Sequence, residues 1–277
     1  MFTPLFKHCA AILYGLAVFL PLAGNTHADN TDNSDNTDVI FYHGEAYALD
    51  DPTTLIYREE HQLQLRNGLP YQREVNYFDA EGKKIAQKEN RYFNNAAAPD
   101  FRLHDLRNNY REQALYNDDG SLTLSLQESD GQEWQKSRIK NLPDNLIIDA
   151  GFDEFVRRHW QALLAGDQVN FSFASAARQD LVSFRLQKTS ANEQQLVLSM
   201  RLQSRLLSWL LDPIELTYER PTQRLLRYRG LSNILDEQGN SYKADIRYQY
   251  PAAMPVNASS GDTSSDDTHS GSPANDQ

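Results

Sequence analysis

The chain has 277 residues, 40% of them hydrophobic and 23% charged, with one cysteine and a formal net charge of −11. A single cysteine excludes an intramolecular disulfide framework, and the acidic balance argues against nucleic acid as a partner, which would need a basic footprint. Most of the excess acid lies outside the central region: residues 39–251 carry 26 Lys and Arg against 30 Asp and Glu.

The first 28 residues read as a secretory signal peptide. One lysine, Lys7, precedes an apolar run from Cys9 to Ala23, and Thr26-His27-Ala28 places small residues at positions −3 and −1 of a cut before Asp29. The run falls short of the roughly 20 residues that a membrane-spanning helix needs. Cys9 leaves with the peptide, and no cysteine stands at the cut to take a lipid. A mature chain without thiols suits the periplasm of a Gram-negative bacterium. An uncleaved anchor is the competing reading.

Residues 29–38, "DNTDNSDNTD", repeat an Asp at every third position with only Asn, Ser and Thr between, and residues 252–277 are rich in Ser, Asp and Gly. Neither segment can bury enough apolar area to offset its ordering entropy, so both read as disordered and acidic. The Asp-Asn run lacks the turn glycine and closing glutamate of a calcium loop. Residues 39–251 then form a single β-rich domain.

Along that domain the dominant period is two. "LIYREEHQLQL" (55–65), "SLTLSLQ" (121–127), "QVNFSF" (168–173), "LVLSMRLQ" (196–203) and "IELTYER" (214–220) each alternate apolar with polar residues. That is the pattern of strands with one buried and one wet face, typical of antiparallel sheet. Turn signals such as Asn67-Gly68, Glu81-Gly82, Asp119-Gly120, Asp130-Gly131 and Gln238-Gly239-Asn240 separate the runs. They predict about ten to twelve strands, mostly meandering.

Residues 147–168, "IIDAGFDEFVRRHWQALLAGDQ", break the rhythm with Phe152, Phe155, Val156, Trp160, Leu163 and Leu164 at helical spacing. Asp149 is placed to cap the start, Asp153 and Glu154 suit the positive end of the dipole, and Gly166 can close the helix. A shorter apolar segment, "SRLLSWLLDP", groups Leu206, Leu207, Trp209, Leu210 and Leu211 before a stop at Asp212-Pro213. The predicted fold is mainly β: a large curved antiparallel sheet, half-barrel-like, packed on one principal helix and a short apolar helical segment.

Searching for chemistry returns few candidates. The sequence has no His-Glu-x-x-His, no Gly-x-Ser-x-Gly, no phosphate loop and no dinucleotide fingerprint. His43, His61, His104, His159 and His269 are scattered, with no pair at metal-ligand spacing, so neither a metal nor a cofactor is expected. Glu59 and His61 stand out because they fall in the apolar phase of their strand, where an acid beside an imidazole can transfer protons. Asp105 and Glu112 could join them. Tyr218, Tyr228, Tyr242, Tyr248 and Tyr250 could floor a binding site, though large aromatics also simply favour half-buried pleats.

"PIELTYERPTQRLLRYRGLSNILDEQGNSYKADIRYQYP", "IDAGFDEFVRRHWQALLAGDQVNFSFASAARQDLVSFRLQK" and "VNYFDAEGKKIAQKENRYFNN" resemble segments of uncharacterised exported proteins of proteobacteria, over most of residues 45–250. No activity is assigned to that family, so the resemblance implies no catalytic residue. The plan of signal peptide, curved sheet and helix is also similar to the periplasmic lipoprotein-carrier fold, whose members hold acyl chains in a concavity. Three readings stay open. One is a non-catalytic carrier holding a lipid or acyl chain near Trp160, Leu206, Leu207, Trp209 and Leu210, with contact to a membrane surface. Another is a hydrolase or isomerase using Glu59 and His61. The last is a structural or interaction protein of the cell envelope.

Overall fold

The computed structural model describes residues 37–93, 95–204 and 212–251. The expected signal peptide, most of the N-terminal linker, the C-terminal tail and the segment holding Leu206, Leu207, Trp209 and Leu210 lie outside those residues. Thr37 and Asp38, read above as linker, open the first strand.

The first wing of the sheet is a meander: β1 (Thr37–Ala48), β2 (Leu55–Arg66), β3 (Leu69–Asp79), β4 (Lys84–Arg91), β5 (Asp100–Asp105), β6 (Tyr110–Tyr116), β7 (Leu122–Gln127) and β8 (Gln135–Ile139). The second wing holds β9 (Leu146–Ile147), β10 (Val169–Ser175), β11 (Asp180–Ala191), β12 (Gln195–Leu202), β13 (Ile214–Glu219), β14 (Leu225–Leu235) and β15 (Ser241–Gln249). Pairing of β1 with β15 joins the wings into one sheet of fifteen strands among the described residues. That exceeds the ten to twelve expected, because strands such as "KIAQKENR" and "QKSRI" are too polar to show a period of two. The sheet is also mixed rather than wholly antiparallel. β9 runs parallel to β10, and the helical segment between them supplies the crossover that a parallel pair needs.

Buried side chains show how far the sheet curls. Leu122 and Leu124 of β7 share one apolar cluster with Leu146 and Ile148 at the other edge, and with Ile234, Ala244 and Ile246 of β14 and β15. The two wings therefore close toward each other around a common interior. A second cluster fills the seam between helix and sheet: Phe155, Val156, Trp160 and Leu163 against Phe171, Leu186, Leu196, Leu198, Leu216 and Tyr218.

The single principal helix is instead three short pieces: a 3-10 turn (Asp149–Gly151), α1 (Phe152–Arg158) and α2 (Trp160–Ala165). His159 makes the break, with φ −101° and ψ 13°, and its ring Nδ1–H donates to the Phe155 carbonyl at 2.9 Å. Gly166 closes α2 at φ 98°, as expected, but Asp149 caps nothing; its carboxylate turns to Lys88. Gly151 answers to a different constraint. A Cβ there would lie 2.1 Å from the Ala97 carbonyl oxygen, so only glycine lets the 3-10 turn approach the loop after β4. No helix among the described residues is long and apolar enough to cross a membrane.

Candidate functional site

Strand register builds a polar cluster inside the curl. Across β1 to β4, Tyr42 lies opposite His61, His61 opposite Val75, and Val75 opposite Lys88. In the neighbouring row Leu63 lies opposite Arg73, and Arg73 opposite Asn90. With a period of two, all of these side chains point inward. The helical segment adds Asp149 and Asp153 from above, and the second wing adds Tyr218 and Tyr250.

Glu59 and His61 are 4% and 6% exposed, and His61 Nε2 lies 2.7 Å from Glu59 Oε2. Since the carboxylate accepts, Nε2 carries the proton and Nδ1 is left as an acceptor. Burial pushes the imidazole below its usual pKa, more than the bond to Glu59 raises it, and Arg73 and Lys88 push the same way. The ring is therefore neutral at neutral pH. It stacks on Tyr42 with centroids 4.2 Å apart, and Tyr42 stacks in turn on Tyr250 at 4.7 Å. Burial also lifts the Tyr42 hydroxyl to about 12, so it stays protonated. Gly44 makes room for this packing: a Cβ there would lie 3.0 Å from the Tyr248 ring, which meets His61 edge-on.

Two ion pairs frame the stack. Arg73 Nη1 and Nη2 donate to Asp153 Oδ2 at 3.1 and 3.2 Å, and the Tyr218 hydroxyl donates to Asp153 Oδ1 at 3.2 Å. Lys88 Nζ lies 3.1 Å from Asp149 Oδ2. Burial alone would lower the Lys88 ammonium, but Asp149 and Glu59 outweigh it and hold its pKa above the usual lysine value.

Around these groups several buried polar atoms have no hydrogen-bond partner among the described residues: His61 Nδ1, Arg73 Nε, the Tyr92 hydroxyl, and both Nδ2 and Oδ1 of Asn90. Asn90 is fully buried. Tyr92 sits close enough to Arg73, Asp153 and Tyr42 for its ionisation to feel all of them. Asp153 and Tyr250 are only partly covered, so the cluster meets solvent at the end of the sheet beside α1.

A crystal structure titled as a beta-barrel-like protein of domain of unknown function DUF1849, from Brucella abortus, is similar to this chain. The two are 10% identical, with a TM-score of 0.44 over 77% of this chain and 97% of that one. No protein-family model matches the sequence, and the search of curated proteins found no match. The chain is mainly β.

Of the residues singled out by sequence, Glu59 and His61 do meet inside the sheet. Trp160 lies in the packed helix–sheet seam, edge-on to Tyr218 with centroids 6.1 Å apart. Asp105 is buried but bonded to Arg107, and Glu112 accepts from the Tyr110 hydroxyl at 2.5 Å. Burial lifts the Glu112 carboxyl to about 7, and neither acid bonds to the Glu59–His61 pair. Sequence reasoning passed over Tyr42, Arg73, Lys88, Asn90, Tyr92 and the pairing of Asp153. Arg73 carried a readable signal, since it shares the phase of Val75 and Tyr77. Lys88 did not, because a register shift between Tyr77 and Phe78 leaves Ile85 and Ala86 buried side by side and hides the phase of β4.

Proposed function

We propose that the chain is an exported, non-catalytic binding protein that holds a small uncharged polar molecule between the Tyr42–His61 stack and Arg73, Asn90 and Tyr92. The observation that carries this reading is the convergence of buried polar atoms without partners among the described residues. Each such atom left unsatisfied costs about 1–3 kcal/mol. Clustering them in one interior is hard to explain by folding alone. His61 Nδ1 and Asn90 Oδ1 ask for donors, Arg73 Nε and Asn90 Nδ2 ask for acceptors, and Tyr92 can serve either way. Fixed charges nearby nearly cancel: Glu59, Asp149 and Asp153 against Arg73 and Lys88. A ligand with a strong charge of its own would therefore gain little.

This reading moves the ligand away from the helix–sheet seam, whose described side chains pack on one another. Leu206, Leu207, Trp209 and Leu210 lie outside the described residues and contribute nothing to it. Hydrolysis or isomerisation by Glu59 and His61 is the second reading, favoured by their 2.7 Å contact. Turnover, however, needs rapid exchange of substrate with solvent, and the pair is almost fully enclosed. Export rests on the apolar run and the Thr26-His27-Ala28 cleavage pattern.

Native mass spectrometry of the protein isolated from the cell envelope tests both parts of the proposal. The expected species is a chain beginning at Asp29 that carries a small non-covalent adduct. Asn90→Leu should remove the adduct while leaving far-UV circular dichroism unchanged. Ligand-free protein carrying Asn90→Leu should melt somewhat higher than ligand-free wild type, because an apolar isostere removes a buried amide with no partner among the described residues. Wild-type protein without an adduct would reduce the cluster to an unsatisfied core. A lipid adduct would restore the acyl-chain reading.

A further inference from the structure

The outer face of the same sheet carries a groove of about 450 Å³ across β3 to β6, on the far side from the buried cluster. That volume is within the range of small-molecule sites, about 300–1,000 Å³. A flat sheet surface offers no such groove by itself, so something must build a wall. The loop between β7 and β8 does so by folding back over the outer face of β7. Gln127 Nε2 donates to the Gln132 carbonyl at 2.8 Å, and Asn109 Nδ2 donates to Asp130 Oδ2 at 3.3 Å. Ser125 and Gln127, which would otherwise face solvent, are buried beneath it. Trp134, at the end of this loop, lines the groove.

The floor is two rows of outward polar side chains set by register. Asn76 pairs with Gln87, and Gln87 with His104, while Glu89 pairs with Arg102, and Arg102 with Gln113. Charges in the floor offset one another, with Arg102 3.6 Å from Glu89 and Arg91 2.7 Å from it. Among the described residues, Asn76 and Gln113 make no side-chain hydrogen bond, and Gln87 uses only its oxygen, accepting from Lys84 at 3.1 Å.

We infer that this groove binds a short stretch of an uncharged saccharide, one pyranose ring lying against Trp134 and its hydroxyls bonded by Asn76, Gln87 and Gln113. The chemistry selects among ligand classes. A polyanion would need a strongly basic floor, whereas Arg102 and Arg111 here are matched by Glu74 and Glu89, and a hydrocarbon would strip water from a row of amides without replacing their bonds. A saccharide suits both halves of the groove. Each hydroxyl donates and accepts, which matches carboxamides that do the same, and the C–H face of a pyranose is weakly positive where the indole face is negative. The groove is separate from the interior cluster, so this inference stands whether or not that cluster holds a ligand.

Isothermal titration calorimetry of the full mature chain with cellotetraose, maltotetraose and chitotetraose tests it. At least one should bind. Trp134→Ala should weaken that binding about tenfold, Trp134→Phe should recover most of it, and Asn76→Ala with Gln113→Ala should also lose affinity. If none of the three sugars binds at millimolar concentration, the inference fails. It also fails if Trp134→Ala binds as well as the wild type, or if an extended peptide occupies the groove and no sugar does.

Discussion

Trp160→Ala is expected to destabilise the protein by about 3–5 kcal/mol, the usual range for removing a large aromatic from a core. Trp160 is 5% exposed and opens α2, a helix of only six residues. Helices this short have no stability of their own and hold their shape only through packing. Its ring meets Tyr218 edge-on, and the Tyr218 hydroxyl donates to Asp153 on α1. One truncation thus loosens both helical pieces and the seam against β10 to β13. Urea unfolding should show a lower midpoint with an unchanged slope, since the same surface is exposed on unfolding. Trp160→Phe, which keeps an aromatic in place, should cost much less. A loss below about 1 kcal/mol for the alanine variant would mean that the helix does not depend on the sheet for its structure.

The seam that this substitution probes was legible in the sequence, and the polar cluster behind it mostly was not. Spacing alone set Phe155, Val156, Trp160 and Leu163 on one face, because burial of an apolar stripe is a local, periodic signal. The same spacing could not reveal the break at His159, which depends on a ring nitrogen choosing the Phe155 carbonyl. Glu59 and His61 were visible because charged residues in an apolar phase violate the alternation around them. Arg73 violates it too, but its meaning lies in Asp153, 80 positions further on. Such a pairing is created by the curl of the sheet and the return of the helix across it, and no local pattern encodes either. Asp153 itself looked like an ordinary first-turn acid, which is true of its position and incomplete about its bond. The strand count fell short for a related reason. Strands such as β4 and β8 are too polar to advertise themselves, and neighbours that are easy to read hold them in the sheet.

Arg73→Met is expected to cost about 3–5 kcal/mol near neutral pH, because it strands the Asp153 carboxylate inside the protein. Side chains of the pair are only 7% and 14% exposed. Arg73→Met combined with Asp153→Leu should recover most of the loss, since two apolar groups need neither the charge nor the bonds. The pH dependence provides a sharper test. Burial by itself would raise the Asp153 carboxyl, but the Arg73 and Arg157 guanidiniums, with the bonds from Arg73 and Tyr218, outweigh it and hold its pKa below the ordinary carboxylate value. A depressed carboxyl contributes stability that is present above its unfolded pKa and is lost as pH falls through the folded one. The wild type should therefore lose this contribution only in strong acid. In Arg73→Met the leading opposing charge is gone and burial lifts the carboxyl instead, so the sign reverses: protonation relieves the stranded charge, and acidification stabilises the variant relative to the wild type. Melting temperatures of the two proteins should converge as pH falls from 7 toward 4. A gap that stays constant across that range would mean that the cost lies in lost packing of the Arg73 side chain rather than in the charge on Asp153.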